Sequence, residues 1–318
     1  MKQEVKSDFG IKCFNIKDYP VLSFTERKKG LMYRIVCKKQ LNPTVVMMDV
    51  EAPFVARKAE AGQFIILRTD AEGERIPLTV AGFDRERGTV KIIFQIVGAT
   101  TAKLSRLEEG DFIEDFAGPL GMPTHTEGVK KVLIVGGGVG CAIALPVAEK
   151  FKSLGCSVTS VIGFRSKELL ILEEEFKCAS DKLFVMTDDG SYGREGNVCV
   201  PINEILAAGE SFDKVIAIGP LVMMKFVVEA VRPYGIPCDV SMNPVMIDGT
   251  GMCGGCRLTL NTKDGRVTKF ACVDGPDFNG YEVDFDEAMR RGGMYREFER
   301  HAYTSDCNLF KRGDKNGK

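Results

Sequence analysis

Asp248, Cys253, Cys256 and Cys272 are the residues of this sequence whose types and spacing best suit chemistry. They fall in one stretch, Ile247-Asp-Gly-Thr-Gly-Met-Cys-Gly-Gly-Cys256 followed by Ala271-Cys-Val-Asp-Gly275. Arg257 to Asn261 and Arg266 to Ala271 read as two short strands. Lys263-Asp264-Gly265 supplies the turn between them, because Asp-Gly tolerates the positive φ of a tight hairpin. That hairpin folds Cys272 back beside Cys256. Gly249, Gly251, Gly254 and Gly255 in the preceding loop let the backbone wrap a compact object and aim amides at it.

Thiolates so placed hold zinc or an iron–sulfur cluster. A zinc ribbon uses two separated Cys-x-x-Cys knuckles or added histidines. This chain has one knuckle, a lone later cysteine, and two histidines, His125 and His301, both far away in sequence. Plant-type two-iron clusters use Cys-x4-Cys-x2-Cys and a distant fourth cysteine. The same register is present with Asp248 in the first position. The spacing favours a cluster, leaving structural zinc or buried free thiols as the other readings.

The elements that must position this loop come before it. The chain has 318 residues, room for two or three domains, with 44% hydrophobic and 27% charged residues, as in ordinary globular proteins. A net charge of −1 gives no footprint for nucleic acid or an anionic membrane. No apolar run reaches membrane-spanning length and the N-terminus does not read as a secretion signal, so a cytoplasmic location is expected. Of the 11 cysteines, Cys141, Cys156, Cys199 and Cys238 lie in or beside apolar stretches and read as small core residues. Cys13 has no local companions, and residues 1–31 read as an extension that packs on its own domain or reaches a partner.

Leu31 to Cys37, Thr44 to Val50, Gln63 to Arg68, Leu78 to Phe83, Val90 to Gln95 and Asp111 to Phe116 are short strands separated by turn residues. Together they suggest a small closed antiparallel barrel, with Thr100 to Leu107 a short helix across one end. Arg75-Ile-Pro-Leu-Thr79 places a cation and a hydroxyl around a stiff proline at a strand entrance, a group able to hold a phosphate beside a flat ring. Phe94 to Thr101 leads into the short helix, whose first amides favour an anion. The plainer reading is an exposed arginine and a threonine cap.

Lys131 to Val135 is a buried strand, Gly136-Gly-Gly-Val-Gly140 a tight turn, and Cys141 to Leu154 a helix containing Pro146. This order brings a pyrophosphate close to backbone amides. Gly136 and Gly138 fit the G-x-G-x-x-G pattern, but its sixth position is Cys141. Strands at Ser157 to Ile162, Leu183 to Met186 and Lys214 to Ile218 alternate with helices at Lys167 to Cys178, Pro201 to Ala208 and Leu221 to Val231, which is an open parallel α/β sheet. The strand ends carry Gly163-Phe-Arg165, Thr187 to Gly190 and Gly219-Pro220. Arg165 stands where an acid would bond a ribose, so local chemistry leaves NAD and NADP open.

The order of Arg-x-Pro-Leu-Thr, Gly-Pro-Leu-Gly at 118 to 121, Val-Gly-Gly-Gly-Val-Gly and a C-terminal cysteine loop resembles the ferredoxin–NADP reductase superfamily. Within it, the chain is similar to the electron-transfer subunits of dihydroorotate dehydrogenase. It more closely resembles the small subunits of NADH-dependent reduced ferredoxin:NADP oxidoreductases, also described as sulfide dehydrogenase subunits. Those have an aspartate at the position of Asp248, and their end is similar to Phe298 to Phe310 here.

The resemblance implies an antiparallel β-barrel flavin domain (32–125), an α/β parallel-sheet NAD(H) domain (126–240) and a small [2Fe-2S] module (241–280), between an extension (1–31) and a tail (281–318). Carried over by motif, Arg75, Pro77, Leu78 and Thr79 would hold FAD. Ile93, Phe94 and Gln95 would line its ring or ribityl chain, and Gly98, Thr100 and Thr101 would lie near its pyrophosphate. Gly136, Gly137, Gly138, Val139, Gly140, Gly163, Arg165 and Gly219 would face NAD(H), and Asp248, Cys253, Cys256 and Cys272 would ligate the cluster. The implied partner is a larger flavin and [4Fe-4S] subunit that uses NADP(H) and exchanges electrons with ferredoxin. The rival readings are a dihydroorotate dehydrogenase subunit, a stand-alone flavin reductase with structural zinc, and a binding subunit that has lost its flavin.

Overall fold

A computed structural model describes residues 32–294. The N-terminal extension, Cys13, His301 and the stretch from Phe298 to Phe310 lie outside the described residues. Strands β1 (Tyr33–Asn42), β2 (Val45–Glu51), β3 (Phe64–Arg68), β4 (Ile76–Asp84), β5 (Thr89–Gln95), β6 (Phe112–Ile113) and β7 (Asp115–Leu120) form one antiparallel sheet in the order β6-β1-β2-β5-β4-β3-β7. The sheet curls into a nearly closed barrel around Ile35, Met48, Ile65, Leu67, Phe94 and Phe116. Register shifts in β1 and β4 supply the bends that closure needs. Helix α1 (Pro53–Lys58) begins on a proline whose missing N–H would be unpaired in a first turn anyway. Helix α2 (Ala99–Leu104) crosses one end.

The second sheet is built from β8 (Lys131–Gly137), β9 (Ser157–Phe164), β10 (Lys182–Thr187), β11 (Arg194–Glu195), β12 (Lys214–Ile218), β13 (Cys238–Ser241) and β16 (Asp277–Asn279), in the order β11-β10-β9-β8-β12-β13-β16. All of its pairings are parallel except β13 with β16. The chain winds outward from β8 in one direction, then returns and continues from β12 in the other. The crevice between β8 and β12 is therefore the switch point where such sheets bind ligands. Helices α3 (Cys141–Ser153), α4 (Glu173–Ala179), α5 (Cys199–Ala207) and α6 (Leu221–Val231) cover its faces.

The helix expected over Lys167 to Cys178 is interrupted. A single 3-10 turn at Lys167–Leu169 is followed by Leu172 at φ 61, and only then does α4 begin. The break turns Ile171 into the core against α3 and the sheet, where it is 4% exposed. Cys141, Cys156 and Cys238 are buried as expected, whereas Cys199 is only partly covered. The nine cysteines among the described residues are free thiols. No helix among the described residues is long and apolar enough to cross a membrane.

The hairpin of β14 (Arg257–Thr262) and β15 (Gly265–Phe270) follows the cysteine loop, with Gly265 at φ 115 closing its turn. A short helix α7 (Ala271–Asp274) then leads into β16. The expected boundary at residue 280 is not a structural break. β16 belongs to the large sheet, and helix α8 (Phe285–Gly293), assigned by sequence to a tail, packs against α6 and β14. Asp284 caps α8 by accepting a 2.9 Å hydrogen bond from Glu287 N.

One carboxyl ties these parts together. Asp277 Oδ2 accepts a 2.6 Å hydrogen bond from Thr124 Oγ1, and Thr124 N in turn donates to Ala61 O of the barrel at 3.0 Å. Its other oxygen, Oδ1, is buried without a partner. Burial pushes the Asp277 pKa up, against the Thr124 hydrogen bond, the nearby Ser241 hydroxyl and the Lys214 charge; Asp239 adds to the rise. Because the folded value is raised, ionisation costs stability once the pH exceeds the unfolded value of about 3.9. The cost grows until the pH passes the folded value and is constant above it. Asp277→Asn keeps the acceptor for Thr124 and removes the charge. Its thermal midpoint, measured against the wild type from about pH 4 to about pH 8, is expected to gain steadily and then level off. A difference that does not change with pH contradicts an ionising Asp277.

Candidate functional site

A groove of about 760 Å³ runs between the barrel and the C-terminal ends of β8 and β12. That is within the range of small-molecule sites. Its barrel wall includes Phe64, Pro77, Leu78, Thr79, Gln95 and Val97. Pro77 to Thr79 are half-buried because β4 presents this edge to open space and not to another strand's side chains. Its other wall is the turn after β8, Gly137 to Gly140, together with Gly163, Arg165 and Gly219.

Close backbone approach shapes this second wall. A Cβ on Gly140 would lie 2.6 Å from Ile218 O, and one on Gly219 would lie 3.1 Å from Gly137 N. Glycines at these positions let the end of β12 and the turn after β8 nearly touch, leaving backbone exposed to the groove. The turn leads straight into α3, whose first N–H groups favour an anion. A phosphate-bearing nucleotide therefore fits this wall.

Several expected residues sit elsewhere. Gly136 is buried in β8, with Cys141 Sγ 2.9 Å from where its Cβ would be, so it serves strand–helix packing. Phe94 is 2% exposed in the barrel core, and Ile93, 7% exposed, packs among the residues of α3 and the second sheet. Neither side chain lines the groove, while Gln95 beside them does. Thr101 Oγ1 accepts from Val97 N at 3.0 Å and Gly98 N at 3.1 Å, which makes it a helix cap. Thr100 Oγ1 donates to Glu74 Oε2 at 2.9 Å. Arg75 does not line the groove; its Nε donates to Ile247 O of the cysteine loop at 3.0 Å.

The groove also takes residues outside the expected contact set. Asp188 and Asn197 flank its outer end near Arg165, and Ser241, Met242 and Pro276 close its inner end. Asp188 was legible as a strand-end residue. Ser241 and Pro276 carry no sequence signal, because they meet only through the pairing of β13 with β16.

At that inner end lies the cysteine loop. Gly249 and Gly251 have φ of 85° and 83°, values that side chains resist, and they coil the loop tightly. Asp248 Oδ2 accepts hydrogen bonds from Thr250 N at 3.0 Å, Thr250 Oγ1, and Met252 N at 3.2 Å. Those to Thr250 chiefly hold its carboxyl below the usual range. The Gly255 amide, 3.5 Å from Cys253 Sγ, and the backbone at Asp248 lower the Cys253 thiol. Cys256 and Cys272 are 1% and 2% exposed. Burial first, and Cys256 second, push Cys272 up to about 11.

The expected ligands thus lie along one loop and the hairpin that follows it, Asp248 half-buried, Cys253 exposed, and Cys256 and Cys272 buried. Among the described residues, no three His, Cys, Asp or Glu side chains already close round one point. The chemistry of the donors nevertheless fits a thiolate-loving metal centre. Three sulfurs and a carboxylate share a glycine-rich loop whose N–H groups already turn toward the anionic atoms.

Comparison with known proteins agrees with this layout. Residues 243–284 match the iron–sulfur cluster binding domain of dihydroorotate dehydrogenase B. A Clostridium beijerinckii protein known as the uncharacterized protein in the adh 3′ region is 47% identical over 276 residues, 84% of this chain and 92% of that one. A Thermotoga maritima homologue of the dihydroorotate dehydrogenase B (NAD(+)) electron transfer subunit is 46% identical over 269 residues, 85% of this chain and 93% of its own. A solved structure of the NADH-dependent reduced ferredoxin–NADP oxidoreductase, reported for its bearing on flavin-based electron bifurcation, is 42% identical with a TM-score of 0.81 and covers 87% of this chain and 98% of that one. With a barrel, a parallel nucleotide-type sheet and this cysteine module in one chain, the protein belongs to the family of dihydroorotate dehydrogenase B electron-transfer subunits and their homologues.

Proposed function

We propose that this chain is the electron-transfer subunit of a flavin and iron–sulfur oxidoreductase of the NADH-dependent ferredoxin:NADP type. It would work in the cytoplasm with a larger flavin and [4Fe-4S] subunit that uses NADP(H) and exchanges electrons with ferredoxin. One observation carries the reading: the groove and the cysteine loop are contiguous. Pro276 and Ser241 line the groove, and the same short stretch of chain runs back to Cys272. The match to the bifurcating oxidoreductase structure over 98% of that chain favours this type over dihydroorotate oxidation.

FAD, when bound, converts the two-electron chemistry of NAD(H) into the one-electron chemistry of a [2Fe-2S] cluster. The chain's own contribution is alignment. Pro77, Leu78, Thr79 and Gln95 offer an edge for a flat ring on the barrel side. The Gly137 to Gly140 turn and Gly219 offer backbone amides and a close surface on the other side, where NAD(H) would lie against the ring. Arg165 and Asp188 would bracket the outer, adenosine end. No acid or base is required at the hydride, because the cofactors carry that chemistry.

Asp248, Cys253, Cys256 and Cys272 would ligate the cluster. With Oδ2 engaged by Thr250 and Met252, Asp248 has Oδ1 left for iron. A carboxylate is a harder ligand than a thiolate and alters the potential of the centre it holds.

Protein purified without oxygen is expected to contain iron, acid-labile sulfide and FAD, and its visible absorbance to bleach on adding NADH. Zinc in place of iron, with no labile sulfide, would sink the assignment. Cys256→Ala is expected to lose the iron. Asp248→Cys is expected to keep it with a changed midpoint potential and a changed electron paramagnetic resonance spectrum. Full iron occupancy in Cys256→Ala removes that residue from the ligand set.

A further inference from the structure

Arg75 stands at the entrance of β4, immediately before the residues that form the barrel wall of the groove. Its guanidinium nevertheless leaves the groove and reaches the cysteine loop, donating from Nε to Ile247 O at 3.0 Å. Ile247 directly precedes Asp248, so the bond fixes the backbone from which the carboxylate ligand projects. The guanidinium charge also falls on the Asp248 carboxylate.

A second contact holds the same loop on the same strands. A Cβ added to Gly249 would lie 2.7 Å from Ile66 Cδ1 and 2.8 Å from Leu120 Cδ1, so the bare backbone of Gly249 rests on β3 and β7. β3 pairs with β4 in the register Ile66↔Pro77 and Leu67↔Ile76, which places Arg75 beside the strand that bears this contact. The loop is therefore clamped by apolar packing under Gly249 and by a charged hydrogen bond to Ile247. Lysine cannot reproduce the bond from a rigid planar donor, and glutamine cannot reproduce the charge.

We infer that Arg75 is a positioning residue for the iron–sulfur centre, fixing the Asp248 side of the loop to the flavin barrel and supplying a positive charge that favours the reduced cluster. This rests on the reading above that the loop holds a cluster. It differs from a phosphate-holding role for Arg75 because it places the main effect of the residue on the iron centre. Reduction adds negative charge to the cluster, so a nearby cation makes reduction easier.

The test is a redox titration of the cluster by electron paramagnetic resonance in wild type, Arg75→Lys and Arg75→Gln, with iron, sulfide and FAD measured on each sample. Arg75→Gln is expected to shift the midpoint downward, by on the order of three- to tenfold in the reduction equilibrium, the scale of one partly screened charge. Arg75→Lys is expected to stay close to the wild-type midpoint but to broaden the spectrum, because the loop loses its planar clamp. If Arg75→Gln cannot be loaded with iron, the lysine spectrum and the wild-type midpoint at rising salt still decide: screening is expected to lower the wild-type midpoint toward a limit. Loaded Arg75→Gln with an unchanged midpoint and spectrum, and a loss of FAD alone, would overturn the inference while leaving the proposed function standing. Wild-type protein without iron and sulfide would overturn both.

Discussion

Three residues, Asp277 to Asn279, pair antiparallel with Ser241 to Asp239 at the edge of a parallel sheet, and the position of the whole cysteine module depends on that pairing. Met242 N donates to Pro276 O at 2.9 Å just beyond it, so the chain leaves and rejoins the sheet side by side. Gly280 N bonds Cys238 O at 2.7 Å at the other end of the pairing. A Cβ on Gly280 would lie 2.5 Å from Val228 Cγ2, which leaves the strand no freedom to slide under α6. Met122 of the linker between the two large domains also donates to Gly275 O. Barrel, sheet and module are thus referenced to one short strand. Asp277, on that strand, is the buried carboxyl shared with Thr124.

The groove follows from the same economy of backbone contact. Its two walls come from different sheets, and neither alone makes a cavity. The turn after β8 and the end of β12 approach closely because glycine occupies both sides. β4 contributes a half-buried edge because its neighbours β3 and β5 belong to a curved sheet. The inner end is sealed only when β16 arrives and brings Pro276 against Phe64; a Cβ on Gly121 would meet both, at 3.1 Å from Pro276 Cδ and 2.8 Å from Phe64 Cε1. A ligand spanning the groove would therefore touch the barrel, the parallel sheet and both ends of the cysteine module.

Patterns that are local in sequence were legible. The strand–glycine–helix turn at Gly136 to Cys141, the Asp-Gly hairpin and the alternating barrel strands each carry their signal within a few residues. Most observed elements differ by a residue or two at their ends, but β1 runs on to Asn42, and the single strand expected over Asp111 to Phe116 is two, β6 and β7. Facing was harder to read. Phe94 and Gln95 are neighbours on β5, yet only Gln95 reaches the groove, and which side of a barrel strand faces a cavity depends on partners distant in the chain. Arg75 could be placed at a strand entrance but not aimed, since its acceptor, Ile247 O, is a backbone atom from another module. Leu172 broke an otherwise helical run because Ile171 was needed in the core, a demand of packing that local propensity does not record. Asp277 has no local pattern to mark it, and only burial beside Thr124 distinguishes it.

Because Ser241 and Asp277 lie opposite each other in register, everything between them is an excursion that starts and finishes at a single spot on the sheet margin. Such a cassette can be lengthened, shortened or exchanged without rethreading any strand of the two larger domains. A lineage built on the barrel and sheet could acquire or discard its metal module as a unit. The seam it must respect is the ladder of β13 with β16.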